Sequence, residues 1–270
     1  MNDSTLLDPQ ARAYGNMRTV IVAIVLVFLL APSLLVIPIS FGGPGEITFP
    51  PRDFSWDLYR QLFTSADWVG AIMRSLRVAV LTMVIALLIG VPAAYGLVRY
   101  DFPGKKLVLL LVMSPILIPV IVISLGLYLY LSRLGAVGTV SGLVAAHVAY
   151  VTPFVMMTVM AGVKKLDPAL EFASSIMGAN RRTVFFKVVL PQLLPSIGAG
   201  ALFAFLISFD EVVIAWFLTG ASTTTLPVKM YSSIQWDISP VISAVSALLT
   251  FLSILFCCLS VWLQPSQRTE

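Results

Sequence analysis

LDPALEFASSIMGANRRTVFFKVVLPQLLPSIGAG, Leu166–Gly200, is the stretch that decides how this chain is read. It carries its own helix punctuation. Asp167 is placed to cap a helix, Pro168 takes the first helical position, and Gly178 ends it. Between them Leu170, Ala173, Ile176 and Met177 form one apolar face, while Glu171, Ser174 and Ser175 point elsewhere. A second short helix is expected over Arg181–Leu190, stopping at Pro191. The result is a helix–turn–helix set between two long apolar runs. It is either a connector lying on a surface or a docking element for a soluble partner.

The rest of the chain says what that surface is. Of 270 residues, 59% are hydrophobic and 11% charged, with a mean hydropathy of +0.96. Soluble domains carry about 25% charged residues, so hydrocarbon is the main solvent, and helices satisfy their own backbone there. Six apolar runs are long enough to span: Val20–Phe41, Val78–Val98, Leu107–Leu131, Thr139–Val163, Val188–Thr219 and Ile238–Leu263. The fold class is therefore all-α and integral to the membrane, with about six spans. No stretch is left for a soluble domain. The first run follows Asp3, Asp8, Arg12 and Arg18 rather than a basic leader, and is too long for a signal-peptide core; it reads as a retained span.

Between the first two runs, Pro44, Pro50 and Pro51 open a loop. The aromatics Trp56, Tyr59 and Trp68 with the stretch Trp68–Arg77 predict an interfacial helix leading into the second span. With the N-terminus inside, eleven Lys and Arg fall on the cytoplasmic side and six on the other, which predicts both termini in the cytoplasm. The layout is an N-terminal segment 1–19, a first span 20–41, an outer loop 42–69, a core 70–265 that includes the loop 164–188, and a cytoplasmic tail 266–270. The net charge of +4 sits in short loops as topology signals do, so nucleic-acid binding is not expected. Cys257 and Cys258 are adjacent at lipid depth and carry no functional signal.

On these residues the chain resembles the permease subunits of binding-protein-dependent ABC importers of the type I fold. Their cytoplasmic signature reads Glu-Ala-Ala, three residues, Gly, nine residues, Ile-x-Leu-Pro. Gly178 takes the glycine position, Val188 the isoleucine, and Leu190 with Pro191 the closing pair. The likeness extends over Trp68–Leu263, with Ser75, Leu76 and Ala94-Tyr95-Gly96 before Arg99 similar to the family's second and third spans. One departure stands out. The family's glutamate falls on Phe172, Ala173 and Ser174 hold the alanine positions, and Glu171 lies one residue early. Either Glu171 supplies the acid from its neighbouring position, or the acid is dispensable. Within the family, Ser208–Ile234 resembles the polyamine group, the putrescine and spermidine importers.

The resemblance implies a half-pore that pairs with a second, different permease, two ATPase subunits below and a periplasmic solute-binding protein above. It also implies a coupling helix, 167–178, between spans four and five that sits in a cleft of the ATPase. Its contact residues would be Asp167, Leu170, Glu171, Phe172, Ala173, Met177, Gly178, Leu190 and Pro191. The residues themselves agree that ATP is not hydrolysed here: no GxxxxGK[ST] loop exists, and Gly104-Lys105-Lys106 lacks the upstream glycine and the hydroxyl. No metal, cofactor or nucleophile–base arrangement is indicated.

Span five carries adjacent acids, Asp210 and Glu211, expected in its outer half. One reading is that they attract a cationic solute; the other is that they pair with Arg74 or Arg77. Trp216 and Phe217 follow, able to bind ammonium by cation–π contact or to act as interfacial belt residues. Ser196, Gly200, Ala204 and Ser208 recur every four residues and predict a packing face. His147, the sole histidine, reads as an interhelical hydrogen-bonder rather than a proton relay. The expected solute is a polyamine; another amine, an opine or an amino-acid-like solute stays open. The rival class is a self-contained secondary transporter, which predicts inverted repeats with broken helices at the midplane.

Overall fold

The computed structural model describes residues 9–263 except 44, 46, 237 and 238, with side chains between 17 and 255. The tail 266–270, residues 1–8, and the side chains of Arg12, Cys257 and Cys258 lie outside the described residues. The described chain is helical throughout, in two compact units.

The first unit holds α1 (Pro9–Ile39), α2 (Asp57–Thr64) and α12 (Val241–Leu263), with α12 packing against both of the others. Every residue of α1 from Met17 to Leu30 is exposed, although this is the most apolar segment of the chain. Such a surface has lipid as its solvent. The loop after α1 is tied down by aromatic rings: Phe41 meets Trp56 edge-on at 4.9 Å and lies 5.4 Å from Tyr59, whose hydroxyl is 2.7 Å from Ser40 Oγ. α2 buries Leu58 and Leu62, four residues apart on one face.

The second unit runs from Asp67 to Gln235. It comprises α3 (Ala66–Arg99), α4 (Lys105–Leu117), α5 (Val120–Arg133), α6 (Val140–Lys165), α7 (Pro168–Ile176), α8 (Arg181–Val184), a π-helical turn (Phe185–Val189), α9 (Leu190–Asp210), α10 (Val213–Leu218) and α11 (Leu226–Gln235). Met17–Ile39, Ala66–Arg99, Val140–Lys165 and Arg181–Asp210 are long and apolar enough to cross a membrane, and the bent pair α4–α5 makes a fifth if counted as one span.

Local chemistry alters the expected elements in four places. Trp68–Arg77 is not a separate interfacial helix but the first turns of α3; no proline falls in that stretch, and the short amphipathic helix is α2. The run Leu107–Leu131 is bent by 108° between α4 and α5. Pro119 forces its predecessor Ile118 into extended backbone (φ −92°, ψ 135°). The helix expected to stop at Pro191 instead continues from Arg181 to Asp210. Leu190 N–H bonds back to the Phe185 carbonyl, so the ladder has already widened by one residue where the proline ring enters. Finally, the run Val188–Thr219 breaks after Asp210, because Glu211 is extended (ψ 115°) and α10 starts afresh.

α6 and α9 form the most extensive helix pair, and small residues set their approach. Gly200, Ala204 and Ser208 are buried against α6, and a methyl added at Gly162 would collide with the Ser196 hydroxyl. His147, 1% exposed, shares a 2.8 Å hydrogen bond between its Nδ1 and Ser208 Oγ across this seam. One apolar core, including Leu97, Val163, Val184, Val189 and Leu193, underlies the α7 end of the unit. Another, including Val78, Leu143, Ile214 and Leu218, underlies the α10 end.

Candidate functional site

The loop between α6 and α9 is built from caps. Asp167 Oδ1 accepts from Ala169 N–H at 2.9 Å, with Pro168 at the first helical position. At the other end Gly178 has φ +90°, its N–H donates to the Ser175 carbonyl, and Ala179 N–H donates to the Ser174 carbonyl. These are the paired bonds of a Schellman stop, which needs the left-handed backbone glycine supplies. Asn180 then caps α8 through Thr183 N–H at 2.8 Å. The helix is three residues shorter than 167–178, because Asp167 is its N-cap and Met177 and Gly178 form its stop.

No side chain of α7 is buried. Leu170, Phe172, Ile176 and Met177 are between 48% and 87% exposed, and Ala173 and Asp167 are exposed as well. Leu190 is half-buried against the core, while Pro191 is exposed.

Glu171 is the exception in this loop. Its Oε1 lies 2.7 Å from Arg99 Nε, an ion-pair contact between side chains only 18% and 15% exposed. Its Oε2 accepts from the Tyr95 hydroxyl at 2.6 Å. Arg99 Nη2 also donates to the Leu166 carbonyl at 3.0 Å, at the end of α6. Tyr95 meets Phe185 of the π turn edge-on at 5.1 Å. Sequence reasoning singled out Glu171 but not these partners. A signal was present: Tyr95 and Arg99 are four residues apart, hence on one face at the end of an apolar helix.

Asp210 and Glu211 sit at the opposite end of α9, at the break before α10. Glu211 Oε1 accepts from Ile214 N–H at 2.8 Å and so caps α10. Asp210 is exposed. The alternative pairing with Arg74 or Arg77 is not seen: no ion pair to either acid occurs among the described residues, and Arg74 Nε donates to the Thr224 carbonyl at 2.8 Å. That bond, with Leu226 N–H donating to Ser75 Oγ, ties the segment after α10 to α3. Trp216 is 40% exposed and stands edge-on to Tyr231 at 5.0 Å; Phe217 meets Tyr128 at 6.5 Å. No cluster of three or more potential metal ligands occurs among the described residues.

These features define a class: a multi-pass helical membrane subunit that presents one capped, apolar helix on a loop and an acid pair at the far end of the next span. Residues 86–268 match the family of the binding-protein-dependent transport system inner membrane component, and the chain belongs to it. It is a non-catalytic permease subunit of an ABC importer, a multi-pass protein of the inner membrane. Among its relatives is the spermidine/putrescine transport system permease protein PotC of Escherichia coli K12, 31% identical over 89% of this chain and 89% of that protein. The PotC of Haemophilus influenzae is 28% identical over 90% and 95% of the two chains. The putrescine transport system permease protein PotI of Escherichia coli K12 is 31% identical over 86% and 85%. In fold, the chain is similar to a solved bacterial ABC transporter involved in import of alginate, with a TM-score of 0.77 over 97% of this chain and 100% of that one, at 15% identity.

Proposed function

We propose that this chain forms half of the pathway by which an ATP-driven importer moves a small cationic solute, of the polyamine class, into the cell. The observation that carries the solute class is the acid pair Asp210–Glu211, which no cationic side chain compensates among the described residues. It lies in a chain whose relatives are permeases of spermidine/putrescine and putrescine systems. Two carboxylates at the mouth of a span raise the local concentration of a cation, and Trp216 adds an aromatic face for ammonium groups.

In this reading both termini and α7 lie on the cytoplasmic side, and the α9–α10 break faces the periplasm. Leu170, Phe172 and Met177 enter a cleft of the ATPase, with Asp167, Ala173 and Gly178 shaping the helix and Leu190 and Pro191 carrying its movement into α9. The assembly has two ATPase subunits, a second and different permease, and a periplasmic solute-binding protein. The exposed apolar residues of α7 support a docking role, since no side chain among the described residues covers them.

Reconstitution with those partners in liposomes tests the reading. Import of labelled putrescine or spermidine should require ATP and the binding protein, and should fall about tenfold in Asp210→Asn/Glu211→Gln, equivalent to ~1.4 kcal/mol. Equal import by the double variant, or preference for a neutral solute, would remove the cation reading. Competition by an opine or an amino acid would move the solute to that class. Solute movement by the chain alone without ATP would make it a secondary transporter.

A further inference from the structure

We infer that Glu171 is a positioning residue within this chain, whose bonds to Arg99 and Tyr95 latch α7 to the end of α3 and so deliver movement of α7 to that span. This rests on the proposed coupling role of α7 and adds which part of the membrane domain receives the motion. The acid one place early in the signature loop is thereby assigned to its own chain, not to the ATPase.

Little else holds α7. The helix has nine residues and buries no side chain. Its backbone leaves through Leu166 to α6 and through Ala179 to α8, at two flexible-looking joints made rigid only by caps. Against that, Glu171 is the one charged side chain of α7 and is mostly shielded, its Oε1 in ion-pair contact with Arg99 Nε at 2.7 Å and its Oε2 accepting from the Tyr95 hydroxyl at 2.6 Å. A carboxylate turned onto these two side chains and only 18% exposed presents little surface to a partner protein. The same arginine holds the Leu166 carbonyl at 3.0 Å, and the same tyrosine packs on Phe185. Four segments therefore meet at one latch: the end of α3, the α6–α7 joint, α7, and the π turn that opens into α9. An external push on α7 must either move α3 with it or break a shielded ion pair, and shielded pairs resist the loss of one partner.

The test uses the whole reconstituted complex and reads three quantities: ATPase bound per permease, ATP hydrolysed, and solute imported per ATP. In Glu171→Gln and Arg99→Gln, bound ATPase should match wild type while solute per ATP falls about fivefold, a loss at the low end of coupling between sites. Tyr95→Phe should lie between them and wild type. The exchange Glu171→Arg/Arg99→Glu should regain most of the coupling, which general destabilisation would not allow. Should the exchange fail to assemble, the neutral pair Glu171→Gln/Arg99→Gln replaces it: it should assemble normally and show the same coupling defect. The inference is overturned if Glu171→Gln alone sheds the ATPase while Arg99→Gln retains it, since the acid then reaches the partner. It is equally overturned if every variant couples as wild type. A wild-type chain that binds no ATPase would instead overturn the coupling role itself, and the latch with it.

Discussion

Glu171 and Glu211 stand at opposite ends of one span and are treated in opposite ways. α9, which separates their helices, has 21 residues, about 30 Å at 1.5 Å per residue, the thickness of the hydrocarbon core. At one end Glu171 is neutralised by Arg99 and Tyr95 of its own chain. At the other, Glu211 is held by backbone N–H groups, that of Ile214 among them, with no ion pair among the described residues, and Asp210 beside it lies exposed. A carboxylate whose charge is matched internally stiffens a joint. One whose charge is left open is available to something that arrives. In the proposed reading, the difference separates the end that receives force from the end that receives solute, although both carry the same residue type.

The largest expected effect comes from breaking the α7 end. Gly178→Val places a β-branched residue at φ +90°, a conformation that costs a non-glycine residue about 1–3 kcal/mol. The Schellman stop should open, and co-purification should show the ATPase lost while the chain still inserts. Retained ATPase with unchanged import would detach α7 from any coupling role. Next in size is the other end. Asp210→Asn/Glu211→Gln should leave ATPase binding intact and reduce uptake of a cationic solute about tenfold, ~1.4 kcal/mol. A variant that lost ATPase binding as well would erase the separation between the two ends.

The apolar runs and the capped helix α7 were legible because each rests on a local rule. Apolar runs longer than the bilayer need no tertiary context, and Asp167-Pro168 with Gly178 announce a helix start and stop in the sequence itself. What was not legible depends on groups distant in sequence. Glu171 lies 72 positions along the chain from Arg99 (171 − 99), and the tyrosine bond spans 76. The breaks escaped for a related reason: hydropathy does not register Glu211 turning back to cap α10, nor the π turn that lets Pro191 stay inside a helix. The acid pair was visible in the sequence, but its alternative pairing with Arg74 or Arg77 could be judged only in three dimensions, where no ion pair to either acid occurs among the described residues.

Smaller substitutions sharpen the contrast between matched and unmatched charge. Glu211→Gln keeps an acceptor for Ile214 N–H, whereas Glu211→Ala removes it, and loss of a cap costs about 0.5–2 kcal/mol. Thermal unfolding of the purified chain should therefore separate Ala from Gln, while both lose the charge and should impair cation uptake alike. If Gln and Ala unfold together, Glu211 does not cap α10 and its role is electrostatic only. The least effect is expected at Asp67–Lys229, a pair that resembles Arg99–Glu171 on paper. Its atoms lie 3.7 Å apart, but Asp67 is 83% exposed and Lys229 also rests over the Trp68 ring at 5.1 Å. Exposed pairs contribute about 0–1 kcal/mol because water screens them and two side chains must be ordered. Asp67→Asn should thus leave unfolding and solute imported per ATP near wild type. A loss comparable with that of Arg99→Gln would mean that shielding is not what distinguishes the latch, and the matched carboxylate at α7 would then be only one surface ion pair among several.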